Sequence, residues 1–485
     1  MSTDTALEPA VVQIQRLRKG TTSSVELLDQ CLERYERYNG ELNAVVVTRL
    51  DEARQRAAAA DAAFDEGRSL GPLHGLPMTI KEVFDWTGTP STWGDPQFAE
   101  NVATTNSVVV ERLLGAGAVI YGKTNVPINL GDWQTFNAIY GTTNNPWDTT
   151  LVPGGSSGGS AVALATGMAA LEVGSDIGAS IRNPAHYVGL FGHKPTYGVV
   201  PVAGHARPGH LPPVDINVAG PLARTAADLE LELRVLAGPS APDDRAYSLR
   251  LPEPTRASLP DYRVAVMYDS PCVVQDPALT AQLRSTVDAL VEAGLRVDEH
   301  ARPAVDQERA FLVYLLLLRA ATGLGLADAA FEQQLDAARR FDDGDRDHPA
   351  ILGKGVTLSH RDWLELNNER EQHRQAWAAF FEDYDLLLCP TAASTAFPHD
   401  HGRARTTRTI RVAGEDQSVM DQVFWAGWSC GVYLPATVAP AGLTAEGLPC
   451  GLQIVGPHLG DLDTVRFAQL MEECVGGFVP PPGYG

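Results

Sequence analysis

Serine, glycine and two lysines supply the residues of this chain that could do chemistry. Residues 153 to 161 read Pro-Gly-Gly-Ser-Ser-Gly-Gly-Ser-Ala, followed by Gly174-Ser175-Asp176-Ile177-Gly178-Ala179-Ser180-Ile181-Arg182-Asn183 and by Gly192-His193-Lys194-Pro195-Thr196. Upstream, Gly117-Ala118-Val119-Ile120-Tyr121-Gly122-Lys123-Thr124 formally matches a phosphate-binding loop. Such a loop needs flexible amides and a helix starting at the lysine. Here the four middle residues are strand formers, Pro127 comes three residues after Thr124, and the expected helix lies before the motif, so the match is a coincidence of spelling. Gly154-Gly155-Ser156-Ser157-Gly158 spells a nucleophile elbow, centred on Ser156 or, one residue on, Ser157. An elbow esterase needs a strand running into the serine and downstream acid and histidine partners. His399, His401 and His458 are available, but Val152-Pro153-Gly154-Gly155 makes a poor strand end. His399-Asp400-His401 could suggest a metal, although two ligands one residue apart are a weak pattern; a structural role is expected.

A longer pattern absorbs more of these residues. Gly154 to Ala161, Asp176 to Ala185 and Gly192 to Thr196 resemble the signature of the amidase signature family of serine hydrolases. The likeness continues at Gly71-Pro-Leu-His-Gly-Leu-Pro-Met-Thr-Ile-Lys81-Glu82, Gly122-Lys-Thr-Asn125 and Gly141 to Trp147, and near the end at Asp385 to Thr391 and Gly447 to Pro457. It spans roughly residues 20 to 475 and is weakest between 200 and 385.

The resemblance implies a Ser–cis-Ser–Lys triad: Ser180 as nucleophile, Ser156 as bridging serine behind a cis Gly155–Ser156 peptide, and Lys81 as base. It implies backbone N–H groups of Ile177, Gly178, Ala179 and Ser180 around an oxyanion, with Ser157, Asp176 and Arg182 in support. Neither a metal nor an organic cofactor is implied. Each role has a physical requirement. A serine hydroxyl needs a neighbouring base. A lysine is such a base only when neutral, and bringing its ordinary value of about 10.4 near 7 takes burial worth roughly 4 kcal/mol. A surface lysine paired with Glu82 is the ordinary alternative. Relatives often carry glycine at the position of Ala179 and threonine at that of Ser175; the Ala179 methyl is expected to narrow the pocket beside the acyl group. They also often have Pro-Glu where this chain has Val126-Pro127.

The implied activity is hydrolysis of an amide, with a hydrophobic or aryl amide or a carbamate (urethane) as substrate. Phe311, Leu312, Tyr314, Leu315, Leu316, Trp425 and Trp428 suggest the apolar lean, and residues 203 to 217 are where specificity is expected. The alternatives are the glutaminase subunit of a tRNA-dependent amidotransferase, the elbow esterase, and a catalytically dead binding protein on the same fold.

The elements that position these residues read as α/β. Helix and strand alternate: a capped helix from Ser23-x-x-Glu26 to Asn39-Gly40, a strand at Leu42 to Val47, a helix at Asp51 to Glu66, a strand at Met78 to Ile80, a helix at Ser107 to Leu114 and a buried strand at Ala118 to Tyr121. An alanine-rich helix is expected from Ser160 to Ala170. The rhythm returns at Ala226 to Leu236, Tyr262 to Tyr268, Thr280 to Ala293 and Leu295 to Val297. Helices over Phe311 to Ala321, Ala327 to Phe341 and Asp362 to Glu382 surround an acidic loop, Asp342-Asp343-Gly344-Asp345, expected to be a solvated surface. The resemblance sharpens this to one domain over 1–485. Its large mixed twisted sheet is covered by helices on both faces, with a helical N-terminal segment over about 1–66 and a helical cover over about 304–385.

Composition bounds the partners. The 485 residues carry a net charge of −22, the wrong sign for nucleic acid or an acidic membrane surface. The longest apolar run, Ala310 to Leu318, is too short to span a bilayer. The first residues show no secretory pattern, so a cytoplasmic monomer or homodimer acting on a small molecule is expected. The six scattered cysteines (Cys31, Cys272, Cys389, Cys430, Cys450 and Cys474) read as buried free thiols.

Overall fold

The computed structural model describes residues 5–340 and 347–485. Eleven strands build its main sheet: β1 Val45–Thr48, β2 Pro77–Lys81, β3 Val119–Thr124, β4 Glu172–Asp176, β5 Phe191–Lys194, β6 Val218–Ala223, β7 Arg263–Val266, β8 Arg296–Asp298, β9 Leu386–Pro390, β10 Ala436–Leu443 and β11 Pro449–Val455. Their spatial order is β1-β3-β2-β4-β6-β5-β10-β11-β9-β7-β8. Parallel pairs (β2 with β3 and β4, β7 with β8 and β9) lie toward the two ends, antiparallel pairs fill the middle, and β1 closes one edge antiparallel to β3. The sheet is therefore mixed and flanked by helices, as the sequence suggested.

Strand alternation divides the apolar residues between two cores. Met78, Ile80, Val173, Val264, Val266, Leu388 and Ile454 face helices Val108–Gly115, Ala226–Leu236, Pro277–Glu292 and Asp461–Val475. Ala265, Leu387 and Val455 face the opposite side, where helices Gly158–Ala165, Arg182–Val188 and Gln307–Gly323 bury Leu164, Ile181, Leu312 and Leu315. With Ile80 committed to the first core, alternation sends Thr79 and Lys81 toward the helix Gly158–Ala165 on the other face. This is the step that aims Lys81 at the serine-rich segment.

Several boundaries move. The helix opened by the Ser23–Glu26 capping box, whose two reciprocal bonds are both 3.0 Å, does not stop at Asn39-Gly40. It runs to Leu42, because Asn39 Oδ1 turns outward to accept from Ala44 and Val45 N–H and tethers β1. The alanine-rich helix expected at Ser160 to Ala170 spans Gly158–Ala165 instead and is wholly buried. The cover contains helices Gln307–Gly323, Asp328–Ala338 and His360–Asp383, plus an unexpected one at His348–Val356. The acidic loop Asp342-Asp343-Gly344-Asp345 lies outside the described residues, as does Phe341. Among the described residues no helix is long and apolar enough to cross a membrane. The cysteines form no disulfide among the described residues, but Cys474 is exposed and Cys272 half-buried, against the expectation that all six are buried.

Candidate active site

Lys81 ends β2 with no exposed surface. Its Nζ donates to Ser156 Oγ at 2.7 Å and to Ser175 Oγ at 2.9 Å. Burial brings its proton affinity down from the ordinary 10.5 to about 7, against the opposing pull of Asp176 and Glu172. Glu172, paired in register with Thr79 and also fully buried, is itself pushed up to about 8 by burial, so its opposing charge is muted near neutral pH. The surface pair with Glu82 does not exist: Glu82 accepts from the N–H groups of Thr92 and Trp93 and from the Thr92 hydroxyl.

Ser156 sits in a turn whose Gly155–Ser156 peptide is cis. Close approach leaves the two preceding positions to glycine. Gly154 has φ 85°, and a Cβ on Gly155 would stand 2.3 Å from the Asp132 carbonyl. Asn183 Oδ1 accepts from Gly155 N–H at 3.1 Å, and Thr135 Oγ1 donates to the Gly154 carbonyl at 2.8 Å. Ser157 joins this turn to the next loop, its N–H donating to the Ser180 carbonyl at 3.1 Å. Among the described residues the Ser157 hydroxyl reaches only the Ser175 carbonyl, at 3.5 Å. No histidine bonds to Ser156 or Ser157 among the described residues, which removes the arrangement that an elbow esterase requires.

The loop from Asp176 to Arg182 is held by a fully buried ion pair. Arg182 Nη2 and Nε donate to the two Asp176 oxygens at 2.9 and 3.0 Å, and its Nη1 reaches Ser429 Oγ and Gln453 Oε1. Asp176 therefore lies below the ordinary carboxylate range, at about 2; Arg182 outweighs the opposing effect of burial, which is the largest single influence. The same carboxylate accepts from the N–H groups of Ala179 and Ile181 at 2.9 and 3.1 Å. The four N–H groups expected around an oxyanion therefore divide. The Ala179 N–H is committed to Asp176, whereas those of Ile177, Gly178 and Ser180 carry no hydrogen bond to any described residue. Two residues the sequence did not single out for this purpose steady the loop's carbonyls. Trp133 Nε1 donates to Gly178 at 3.0 Å and Tyr314 Oη to Ile177 at 3.0 Å. Ala179 is fully buried in the same core cluster as Trp133 and Tyr187 and is not among the residues lining the cavity beside Ser180.

Ser180, Ile177 and Gly178 face a cavity of about 350 Å³. Its apolar walls are Trp93, Trp133, Leu318, Leu352, Met420 and Val423. The aromatic character is thus present but comes from other residues than expected. Trp425 and Trp428 are buried in a separate cluster, and Phe311, Leu312 and Leu315 pack in the core. The segment 203 to 217 does border the cavity through His205, Arg207 and His210. His205 is buried edge-on against Phe84 and Trp93, with Nε2 unpartnered among the described residues. Away from the cavity, Asp400 exchanges backbone bonds with the Gln134 side chain and His401 stacks on Phe136 at 3.9 Å, a structural setting for His399-Asp400-His401.

Comparison with known proteins bears on this geometry. A family model described as Amidase matches residues 26–465. An indoleacetamide hydrolase of Bradyrhizobium diazoefficiens is 34% identical, the match covering 93% of this chain and 84% of that protein. One subunit of the glutamyl-tRNA(Gln) amidotransferase of a Synechococcus species is 31% identical over 96% of both chains. A solved chain from a vestigial complex, described as revealing the origins of an s-triazine catabolic enzyme, superposes with a TM-score of 0.81 at 26% identity, covering 97% of this chain and 99% of that one.

Proposed function

Because the chain belongs to the Amidase family and is an amide hydrolase, we propose that Ser180 is its nucleophile, Ser156 its proton relay and Lys81 its base. The observation that carries this reading is the buried Lys81 amine, 2.7 Å from Ser156 Oγ and brought to about 7. At neutral pH a substantial fraction of such an amine is uncharged and can accept a proton.

Ser180 Oγ attacks the amide carbon while its proton passes to Ser156 and the Ser156 proton passes to Lys81. Negative charge gathers on the former carbonyl oxygen, where the free N–H groups of Ile177, Gly178 and Ser180 supply hydrogen bonds. A single such donor is typically worth about 3–4 kcal/mol. The relay then runs in reverse, protonating the departing amine as the C–N bond breaks and leaving an acyl ester on Ser180. Water, deprotonated through the same relay, releases the acid. Asp176 and Arg182 act by holding the loop, and Ser175 by fixing the lysine amine. The apolar cavity walls favour a hydrophobic or aromatic amide, with carbamates as the next class.

The test uses purified protein with a set of 4-nitroanilides, primary amides, esters and carbamates. Turnover that disappears in Ser180→Ala and Lys81→Ala supports the assignment. Turnover that survives in Ser180→Ala but is lost in Ser157→Ala overturns it. The relative at 31% identity favours, in second place, the glutaminase role within a larger amidotransferase. That reading predicts little turnover of any anilide by the isolated chain.

A further inference from the structure

Two arginines on the cavity wall have no carboxylate partner among the described residues, although the chain carries 60 acidic residues against 38 basic ones. Arg319, on the cover helix Gln307–Gly323, makes one hydrogen bond among the described residues, a 3.7 Å contact to the sulfur of Met420. Arg405, on the facing loop, donates to the Gly131 carbonyl. Both line the cavity that holds Ser180. The nearby carboxylates are already engaged. Both Asp132 oxygens accept from Arg408, at 2.9 and 2.8 Å, and Asp95 caps the Gln97 N–H and receives Arg207 and Asn129. Among the residues lining this cavity, three guanidinium groups (Arg207, Arg319 and Arg405) thus stand against one carboxylate, Asp132. Burial, and then the like charge of Arg405, makes the Arg319 cation costly as it stands. An anion entering the cavity would relieve both costs, and a guanidinium's fork suits a carboxylate in particular.

We propose that Arg319 and Arg405 form an anion subsite, and that the amide this enzyme cleaves carries a carboxylate. The inference rests on the hydrolase reading for its substrate but not for its binding chemistry. It is compatible with the apolar walls: Trp93, Leu318 and Val423 would pack the body of the molecule while the carboxylate reaches the arginines. In a chain of this net charge the subsite also holds positive charge where an acidic substrate must arrive.

The test separates binding from turnover. Isothermal titration of the Ser180→Ala protein compares two matched pairs that differ only by carboxylate against methyl. They are glutaric and pentanoic acid anilides, with the charge on the acyl side, and 4-butyramidobenzoate and 4-methylbutyranilide, with the charge on the amine side. The carboxylate member of one pair should bind about tenfold tighter or more. That ratio should collapse toward one in Arg319→Gln, fall in Arg405→Gln and recover in part in Arg319→Lys. Methyl-ligand binding on the same variants reports that the cavity is still folded. Equal binding of both members of both pairs, or a ratio untouched by both glutamine variants, would overturn the subsite. Absence of turnover in the Ser180-containing protein with the ratio intact would instead count against the hydrolase reading and leave the subsite standing.

Discussion

Exchanging Lys81 for methionine removes the charge while keeping most of the stem that fills the site. In the folded protein the amine titrates at about 7, against 10.5 ordinarily, so the charged form costs about 5 kcal/mol in the fold. The folded value lies below the unfolded one. Between them the unfolded chain holds a proton that the folded chain has shed, so folding of the parent protein strengthens with pH across that window by about 1.4 kcal/mol per pH unit. The variant has no such dependence at this site. Against its gain, the Ser156 and Ser175 hydroxyls lose the partner they hold at 2.7 and 2.9 Å, about 1 kcal/mol each. Lys81→Met is therefore expected to be inactive yet more stable than the parent by about 3 kcal/mol near pH 7, with the two nearly equal near pH 9. Urea unfolding followed by tryptophan fluorescence at the two pH values measures both gaps. A gap of the same size at both would refute the depressed titration, as would a variant less stable than the parent near pH 7.

The same titration governs rate. kcat/KM should rise tenfold per pH unit below about 7 and level off above it, because the base works only unprotonated; an ascending limb near 10.5 would mean an ordinary lysine. Ser175→Ala removes an acceptor that favours the ammonium form, so the limb should move to lower pH, read from the same profiles. Arg182→Met leaves Asp176 buried without its cation, and urea unfolding should show a loss of about 3–5 kcal/mol. Gly159→Ala would set a methyl 2.4 Å from the Asn125 nitrogen; the helix must shift, and a loss of about 1–3 kcal/mol in the same assay is expected.

Much of the fold was legible because its elements are locally consistent. The helix Ala226–Leu236 has its expected limits, since Thr225 caps the Asp228 N–H and an apolar stripe follows. The strand Val218–Ala223 escapes a reading by pattern, because Val-Ala-Gly-Pro-Leu-Ala has little strand propensity. Its glycine is set by packing, for a Cβ on Gly220 would lie 2.4 Å from the His193 carbonyl. The helix His348–Val356 hides behind Gly353 and Gly355, and its stability comes from an Asp347 cap and buried Ala350 and Ile351. In the site, Lys81, Ser156 and Ser180 stand out by resemblance, and burial at the end of the apolar strand Met78 to Ile80 is a reasonable physical expectation for the lysine. The partnership of Lys81 with Ser175, the commitment of Ala179 N–H to Asp176 and the support from Trp133 and Tyr314 are three-dimensional facts with no spacing to betray them. Likewise the apolar stripe at Phe311 to Leu316 reads the same whether it lines a pocket or fills a core.

The central claim, that a neutral Lys81 activates Ser180 through Ser156, is tested most directly by a serine-reactive fluorophosphonate followed by peptide mass spectrometry across pH. The account predicts one label, on Ser180, forming at a rate that titrates near 7 and vanishing in Lys81→Met. A label on Ser156 or Ser157, or labelling of Ser180 that ignores both pH and the loss of Lys81, would contradict it.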